Sequence, residues 1–349
     1  METVVNMNDL SSQVKPIAQL SAEEIAAWEA LCLSQPFLAS PFFSPHYMIA
    51  VSSVRKHVYV CVVMQGKQKI AFFPFQFASD MHKAMRAAER VGEEMTDHFG
   101  LIASAEVRLS PKELLTLSNL SSMEFTHLDA AQAQLGLVGE NPEPGMLIRL
   151  DQGGPFYWQS LMATNAKLVK DTQRRRKKLI EECGEIHFQF ANVNIEQEFD
   201  RLIQSKREQY TRTGVNDVFM ERWKENLLRR LASIKQASCE AVISTLYVGN
   251  KWMASHFGLR HQHVLHYWFP VYNPEFKSYS PGRLLMAEII NVANAQGITL
   301  IDRGAGDSAF KRELANDQLE YFRGVWSKGD LRANLYRAFL SLKWRMREK

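Results

Sequence analysis

The run Tyr279-Ser280-Pro281-Gly282-Arg283-Leu284-Leu285 has the residue types of a helix that begins on an anion. Ser280 is a favoured helix N-cap type, and Pro281 suits the first helical position, where its missing N–H costs nothing. Gly282 has no Cβ, so a ligand can come close to the backbone. Free N–H groups and the positive end of the helix dipole favour negative charge there, and Arg283 adds a planar fork that fits phosphate. The chemistry expected is the seating of a phosphorylated group. An ordinary helix start satisfies the same residues.

Other groups carry weaker signals. His261, His263 and His266 have a spacing seen in metal sites, but no Cys or carboxylate joins them and the first two fall in a turn, so no metal is expected. The run Arg174-Arg175-Arg176-Lys177-Lys178 continues a helix that also bears Lys167 and Lys170. It reads either as a solvated face or as a contact for a phosphate-bearing substrate such as a nucleotide-linked sugar. Interleaved aromatics are missing, which argues against nucleic acid. Trp326 and Trp344 with Arg332, Arg337, Lys343, Arg345 and Arg347 make a basic C-terminal helix. Packing against the second half is its first reading, and peripheral contact with a membrane surface is the other.

The elements that must hold these groups follow from periodicity and breakers. Ser21 followed by Glu24 is a capping box for a helix bearing Trp28 and Leu31. Residues 58–64 and 69–77 form a hairpin about Gln65-Gly66-Lys67, and residues 241–248 and 251–259 form a second about Gly249-Asn250. A strand over 264–271 follows, then a helix over 284–296 with an apolar stripe, stopped by Gly297, and a short strand over 298–302. Helical stretches are expected over 158–182 and 196–235. The hairpins resemble each other, which suggests an internal duplication. The breakers at Asn141-Pro142-Glu143-Pro144-Gly145 and Gly153-Gly154-Pro155 put the boundary near residue 150, giving domains 1–150 and 151–349. The fold class expected is α/β, in mixed α+β layers.

A chain of 349 residues fits two domains. Its 46% hydrophobic and 23% charged content excludes a disordered protein, and a net charge of +4 does not call for nucleic acid. Four dispersed cysteines without a C-x-x-C pair fit reduced thiols in a cytoplasm. Residues 1–16 lack the apolar core of a secretory leader, and no run reaches the roughly 18 apolar residues of a spanning helix, so a soluble protein is expected.

These segments, in this order, resemble the GNAT acyltransferases, and more specifically the FemAB-related, CelD/BcsL-like acyltransferases associated with cellulose and surface-polysaccharide biosynthesis. The carrying pieces are Trp28, Leu31, Pro36-Phe37 and Ser44-Pro45, then Thr96-Asp97-His98-Phe99-Gly100, then Ser255-His256-Phe257-Gly258-Leu259. Tyr272-Asn273-Pro274, Tyr279-Ser280-Pro281-Gly282, Asp302-Arg303-Gly304-Ala305-Gly306-Asp307 and Phe310-Lys311 complete the set, with Phe310 where the family usually has Tyr. The resemblance implies tandem GNAT-like halves, each a mixed, mostly antiparallel sheet flanked by helices. It implies acyl-CoA as co-substrate in the second half, seated by Ser280, Pro281, Gly282, Arg283 and Leu284, with Lys311 reaching a donor phosphate. It also implies N-acyl transfer to a small amine, such as an amino sugar in surface-polysaccharide assembly.

The oxyanion donor would be a backbone N–H within residues 267–271. His256, whose imidazole titrates in the useful range, is then the candidate base, and Asp302 the second candidate, orienting a base or touching the acceptor. Asp97 and His98 are assigned to the acceptor. By themselves these residues read equally as a packed imidazole, a loop-capping carboxylate, a solvated lysine and a turn. The loop is poorer in Gly and basic residues than in single-domain relatives, so a Fem-type transferase using aminoacyl-tRNA is the alternative enzyme. A non-catalytic GNAT-like interaction protein is the alternative of another class.

Overall fold

The structure is a computed structural model that describes residues 7–191 and 195–334. Arg337, Lys343, Trp344, Arg345 and Arg347 of the basic C-terminal segment lie outside the described residues. The chain divides into two compact units, one of residues up to Pro144 with those from Leu319 onward, the other Gly145–Gln318.

In the first unit, α1 (Ala22–Ser34) starts on the expected capping box. Ser21 N–H donates to Glu24 Oε2 at 2.8 Å and Glu24 N–H to Ser21 Oγ at 3.2 Å. Trp28 on α1 is fully buried and donates from Nε1 to the Phe43 carbonyl at 2.7 Å, tying α1 to the turn before α2 (Pro45–Val54). Strands β1 (Leu10–Pro16), β2 (Val58–Gln65), β3 (Gln68–Gln76), β4 (Ala87–Glu89), β5 (Ile102–Ala103) and β6 (Ser122–Asp129) follow, with α3 (Asp80–Met85) and α4 (Pro111–Leu117) between them. β2 and β3 are the first expected hairpin, turned at Gly66 with φ +59°. β4 pairs with β6 in parallel, whereas β1 to β4 pair antiparallel in order. Phe73, Phe75, Phe99, Phe125 and Trp326 fill the core.

The second unit holds β7 (Glu140–Arg149), β8 (Ile186–Gln189), β9 (Lys235–Gln236), β10 (Cys239–Val248), β11 (Lys251–His261), β12 (Val264–Tyr272) and β13 (Leu300–Ala305). Its helices are α5 (Gly153–Thr164), α6 (Ala166–Cys183), α7 (Ile195–Thr213), α8 (Arg222–Ala232), α9 (Pro281–Val292) and α10 (Ala309–Arg312). The single helical stretch expected over 158–182 is two helices. They part at Asn165, whose side chain accepts the Leu168 N–H at 3.2 Å as a new cap. The stretch over 196–235 likewise parts, at Gly214 with φ +68°. β8, β10, β11 and β12 pair antiparallel, and β12 pairs with β13 in parallel. Leu284, Leu285, Ile289 and Ile290 of α9 pack into a core with Leu246, Met253, Leu265 and Ile301 of the sheet.

The last strand, β14 (Asp317–Ser327), pairs from Tyr321 onward with β6 and so closes the first unit's sheet. β7, the last strand before residue 150, pairs through Gly145–Arg149 with β13 of the second unit. The two sheets therefore share one order of pairings: three antiparallel, one parallel, one antiparallel. Each is a mixed, mostly antiparallel sheet with helices, the expected class, and each is completed by a strand from the other half of the sequence. The proline-rich segment read as a breaker is thus part of strand β7. Gly153-Gly154 opens α5 rather than a linker, because Gly154 meets α9 at the Ile290 carbonyl, where a Cβ would stand 2.7 Å away.

Candidate functional site

In the second unit β12 and β13 run side by side only through Val264–His266 against Leu300–Asp302. β12 then continues to Tyr272 and β13 to Ala305 without pairing to each other. On its other edge β12 carries a bulge. Ser255 faces Val271 and Phe257 faces Trp268, so Phe269 and Pro270 oppose the single residue His256. Phe269 adopts φ +43°, a strained value for an aromatic residue, which marks the bend. The divergence leaves strand backbone without a sheet partner beside the start of α9.

That start lines a cavity of about 350 Å³. Pro270, Val271 and Tyr272 of β12 form one side, Ser280, Pro281, Gly282 and Arg283 the other, and Lys206, Lys277 and Phe310 complete it. The Ser-Pro-Gly corner borders this space through half-buried Ser280 and Gly282, while Pro281 is buried. Its detail differs from the expectation. Ser280 is left-handed, φ 57° and ψ 60°, and its hydroxyl does not cap the helix. Its carbonyl instead accepts the N–H groups of Arg283 at 3.0 Å and Leu284 at 3.1 Å. Pro281 has no N–H, so Gly282 presents the one unpaired amide of this corner among the described residues. A Cβ on Gly282 would meet only the Phe310 ring, at 3.6 Å.

Arg283 is in place but engaged. Nη1 donates to Asp171 Oδ2 at 2.9 Å and Nη2 to Glu313 Oε2 at 3.0 Å, while Nε is buried without a partner. Asp171 is held well below the usual carboxylate range by hydrogen bonds from Arg175 and Arg174, with Arg283 adding to them. Leu284 is buried in the core, so it supports the corner from behind. Lys311 bends back, its ammonium donating to the carbonyls of Gly304 and Ala305. Beside this cavity lies a basic one of about 640 Å³, where Lys167, Lys170, Arg174 and Arg175 surround Asp171. The rest of the basic run is a solvated face: Arg176 pairs with Glu288 at 2.9 Å, and Lys177 and Lys178 lie 3.7 Å from Glu181 and Glu182.

His256 sits behind the bulge, fully buried, its ring stacked on Tyr267 at 4.5 Å. Both ring nitrogens lack partners, and burial, reinforced by the nearby His266, pushes its pKa down to about 3. Asp302 is also buried, with Oδ2 3.1 Å from His266 Nδ1 and Oδ1 accepting the Gly304 N–H at 2.8 Å. Neither lines the cavity. Of the histidine trio, His266 turns to Asp302, and His261 Nε2 lies 3.4 Å from Gln262 Nε2. In the first unit His98 is held between Asp129, 2.9 Å from Nδ1, and the Tyr321 hydroxyl, 3.0 Å from Nε2, under the Phe42 ring. Asp97 lies 4.0 Å from His127.

Lys206 and Lys277 escaped the sequence reading. The signal for Lys206 was available: Phe199, Ile203, Lys206 and Tyr210 follow one stripe of α7, where a lysine interrupts an otherwise buried face.

Residues 166–312 match the model of the acetyltransferase (GNAT) domain. No protein of curated function matches the chain in sequence. The fold is similar to the crystal structure of FemX, at 10% identity and a TM-score of 0.61, over 93% of this chain and 99% of that one. It is also similar to the C-terminal domain of a putative lysylphosphatidylglycerol synthetase from Agrobacterium fabrum, at 10% identity and a TM-score of 0.55, over 92% and 96%. A tandem GNAT protein from the clavulanic acid biosynthesis pathway aligns at 12% identity and a TM-score of 0.48, over 92% and 99%. The segment that matches this model is the one whose residues line the cavity.

Proposed function

We propose that the protein is an acyl-CoA-dependent N-acyltransferase whose donor lies in the cavity between the β12 bulge and the Gly282 corner. The observation that supports this is the unpaired Gly282 N–H at the start of a twelve-residue helix, opening into a cavity that also presents Lys206, Lys277 and Arg283. A diphosphate fits that corner, and the freed β12 backbone suits the thioester arm. Acyl transfer then needs an oxyanion donor, which an N–H of Trp268, Phe269 or Val271 supplies in the bulge, Pro270 having none. His256 and Asp302 enter as positioning residues, shaping β11, β12 and β13 from behind. The acceptor is a small amine, an amino sugar in surface-polysaccharide assembly in the cytoplasm being the reading that the CelD/BcsL-like resemblance favours. Among the described residues no helix is long and apolar enough to cross a membrane.

Calorimetric titration with CoA tests this. Binding well below 1 mM is expected; none up to about 1 mM, where binding would contribute only about 4 kcal/mol, overturns it. One observation favours a second donor, aminoacyl-tRNA: the basic cavity on α6 with its exposed Lys170 and Arg174. Binding of tRNA without CoA would select that reading. Loss of CoA binding without loss of cellular function in a Gly282→Trp variant would select a non-catalytic interaction protein.

A further inference from the structure

On the acyl-CoA reading above, we propose that Lys206 is a site of self-acylation: its ε-amine attacks the thioester carbonyl of acyl-CoA held in this cavity and retains the acyl group as an amide. Lys206 projects from α7 into the cavity wall and donates to the Pro270 carbonyl at 3.1 Å and to Gln209 Oε1 at 3.4 Å. Pro270 belongs to the β12 bulge, so the amine stands against the strand backbone that suits the thioester arm.

The groups facing Lys206 accept its hydrogen bonds but bring no negative charge to hold its proton. From α7 the Tyr210 ring lies 5.3 Å from Nζ; β12 contributes Tyr272, and Lys277 and Arg283 bring positive charge from the turn before α9 and from α9 itself. No carboxylate lines the cavity among the described residues. Burial pushes the ammonium down to about 8. Near pH 7 roughly one molecule in ten then carries the free amine, against a few in ten thousand for an ordinary exposed lysine. A nucleophilic lysine activated by desolvation and neighbouring cations is an established kind of group.

The step balances without another reactant. The amine lone pair forms the N–C bond, the C–S bond breaks, and the proton shed by nitrogen leaves on sulfur as the CoA thiol. Incubation of the full chain with isotope-labelled acetyl-CoA, followed by digestion and mass spectrometry, tests it. Label is expected on Lys206 at least about tenfold faster than on Lys177, whose side chain is 78% exposed. The rate should rise through pH 8, fall with excess desulfo-CoA, and vanish at that position in Lys206→Arg. Equal labelling of Lys206 and Lys177, undiminished by desulfo-CoA, overturns the inference. So does an unlabelled Lys206 when calorimetry registers CoA binding, which leaves the acyl-CoA reading standing. Absence of both label and binding removes both.

Discussion

Lys206 Nζ lies 3.1 Å from the Pro270 carbonyl, so the bulge of β12 holds a cation from α7 on its own backbone. The contact joins the element that bends the strand to the element that walls the cavity. It also has a thermodynamic signature. The folded chain binds this proton at about 8, the unfolded chain at about 10.4. Between those values the unfolded state holds more protons, so stability rises with pH across that window. Lys206→Met should therefore melt at or above the parent at pH 7, by on the order of 1 kcal/mol, with the advantage shrinking by pH 10. Thermal melts at both pH values check this; a Met variant less stable at pH 7 refutes it.

His256 gives the opposite end of the pH scale. Its folded pKa of about 3 lies below the unfolded 6.5, so its contribution is complete above pH 6.5 and is lost as pH falls. Acidification to pH 4.5 should cost on the order of 2 kcal/mol through this residue. His256→Phe, which keeps the stack on Tyr267 and removes two unpaired nitrogens, should flatten that acid limb. Melts at pH 4.5 and 7.5 would measure it.

Gly282 separates stability from binding. A Cβ there meets only Phe310 at 3.6 Å, and alanine is the better helix former, so Gly282→Ala should be neutral or stabilising by up to about 1 kcal/mol. The same methyl narrows the approach to the unpaired N–H. CoA affinity should fall about tenfold, or ~1.4 kcal/mol, by calorimetry. Unchanged affinity would place the diphosphate elsewhere.

Gly154 should behave in reverse. Its Cβ would lie 2.7 Å from the Ile290 carbonyl, a backbone atom that cannot swing away. Gly154→Ala should destabilise by about 1–3 kcal/mol, read as a lowered denaturation midpoint.

Both hairpins, the capping box on α1 and the strand–helix–strand run through α9 were legible because each rests on local chemistry, a Gly with positive φ or a reciprocal cap. Pro142 and Pro144 can stand inside β7 for a physical reason. Residues two apart in a strand point their N–H groups to the same edge, so two prolines at that spacing leave the other edge able to pair. The Ser280 reading expected a hydroxyl cap, whereas a left-handed backbone does the turning and the hydroxyl does not cap. His256 looked reactive by type. Whether an imidazole on a strand meets solvent depends on what covers it, here Tyr267 and the sheet interior, and long-range packing is not written in spacing. For Lys206 the stripe of α7 was readable but its outcome was not: a lysine on an apolar stripe usually extends its head to water, and only the bulge shows where this one stops.

The strand exchange between the halves bears on how the protein is made. When residue 150 leaves the ribosome, the N-terminal polypeptide carries β7, whose Gly145–Arg149 pair in the other sheet, and its own sheet still lacks β14. β6 must wait, one edge open, through the synthesis of almost the whole second unit. A chain cut at the apparent boundary would give two fragments, each with a surplus strand and a missing one. The two halves repeat one order of pairings, yet neither can be lifted out along the seam at residue 150.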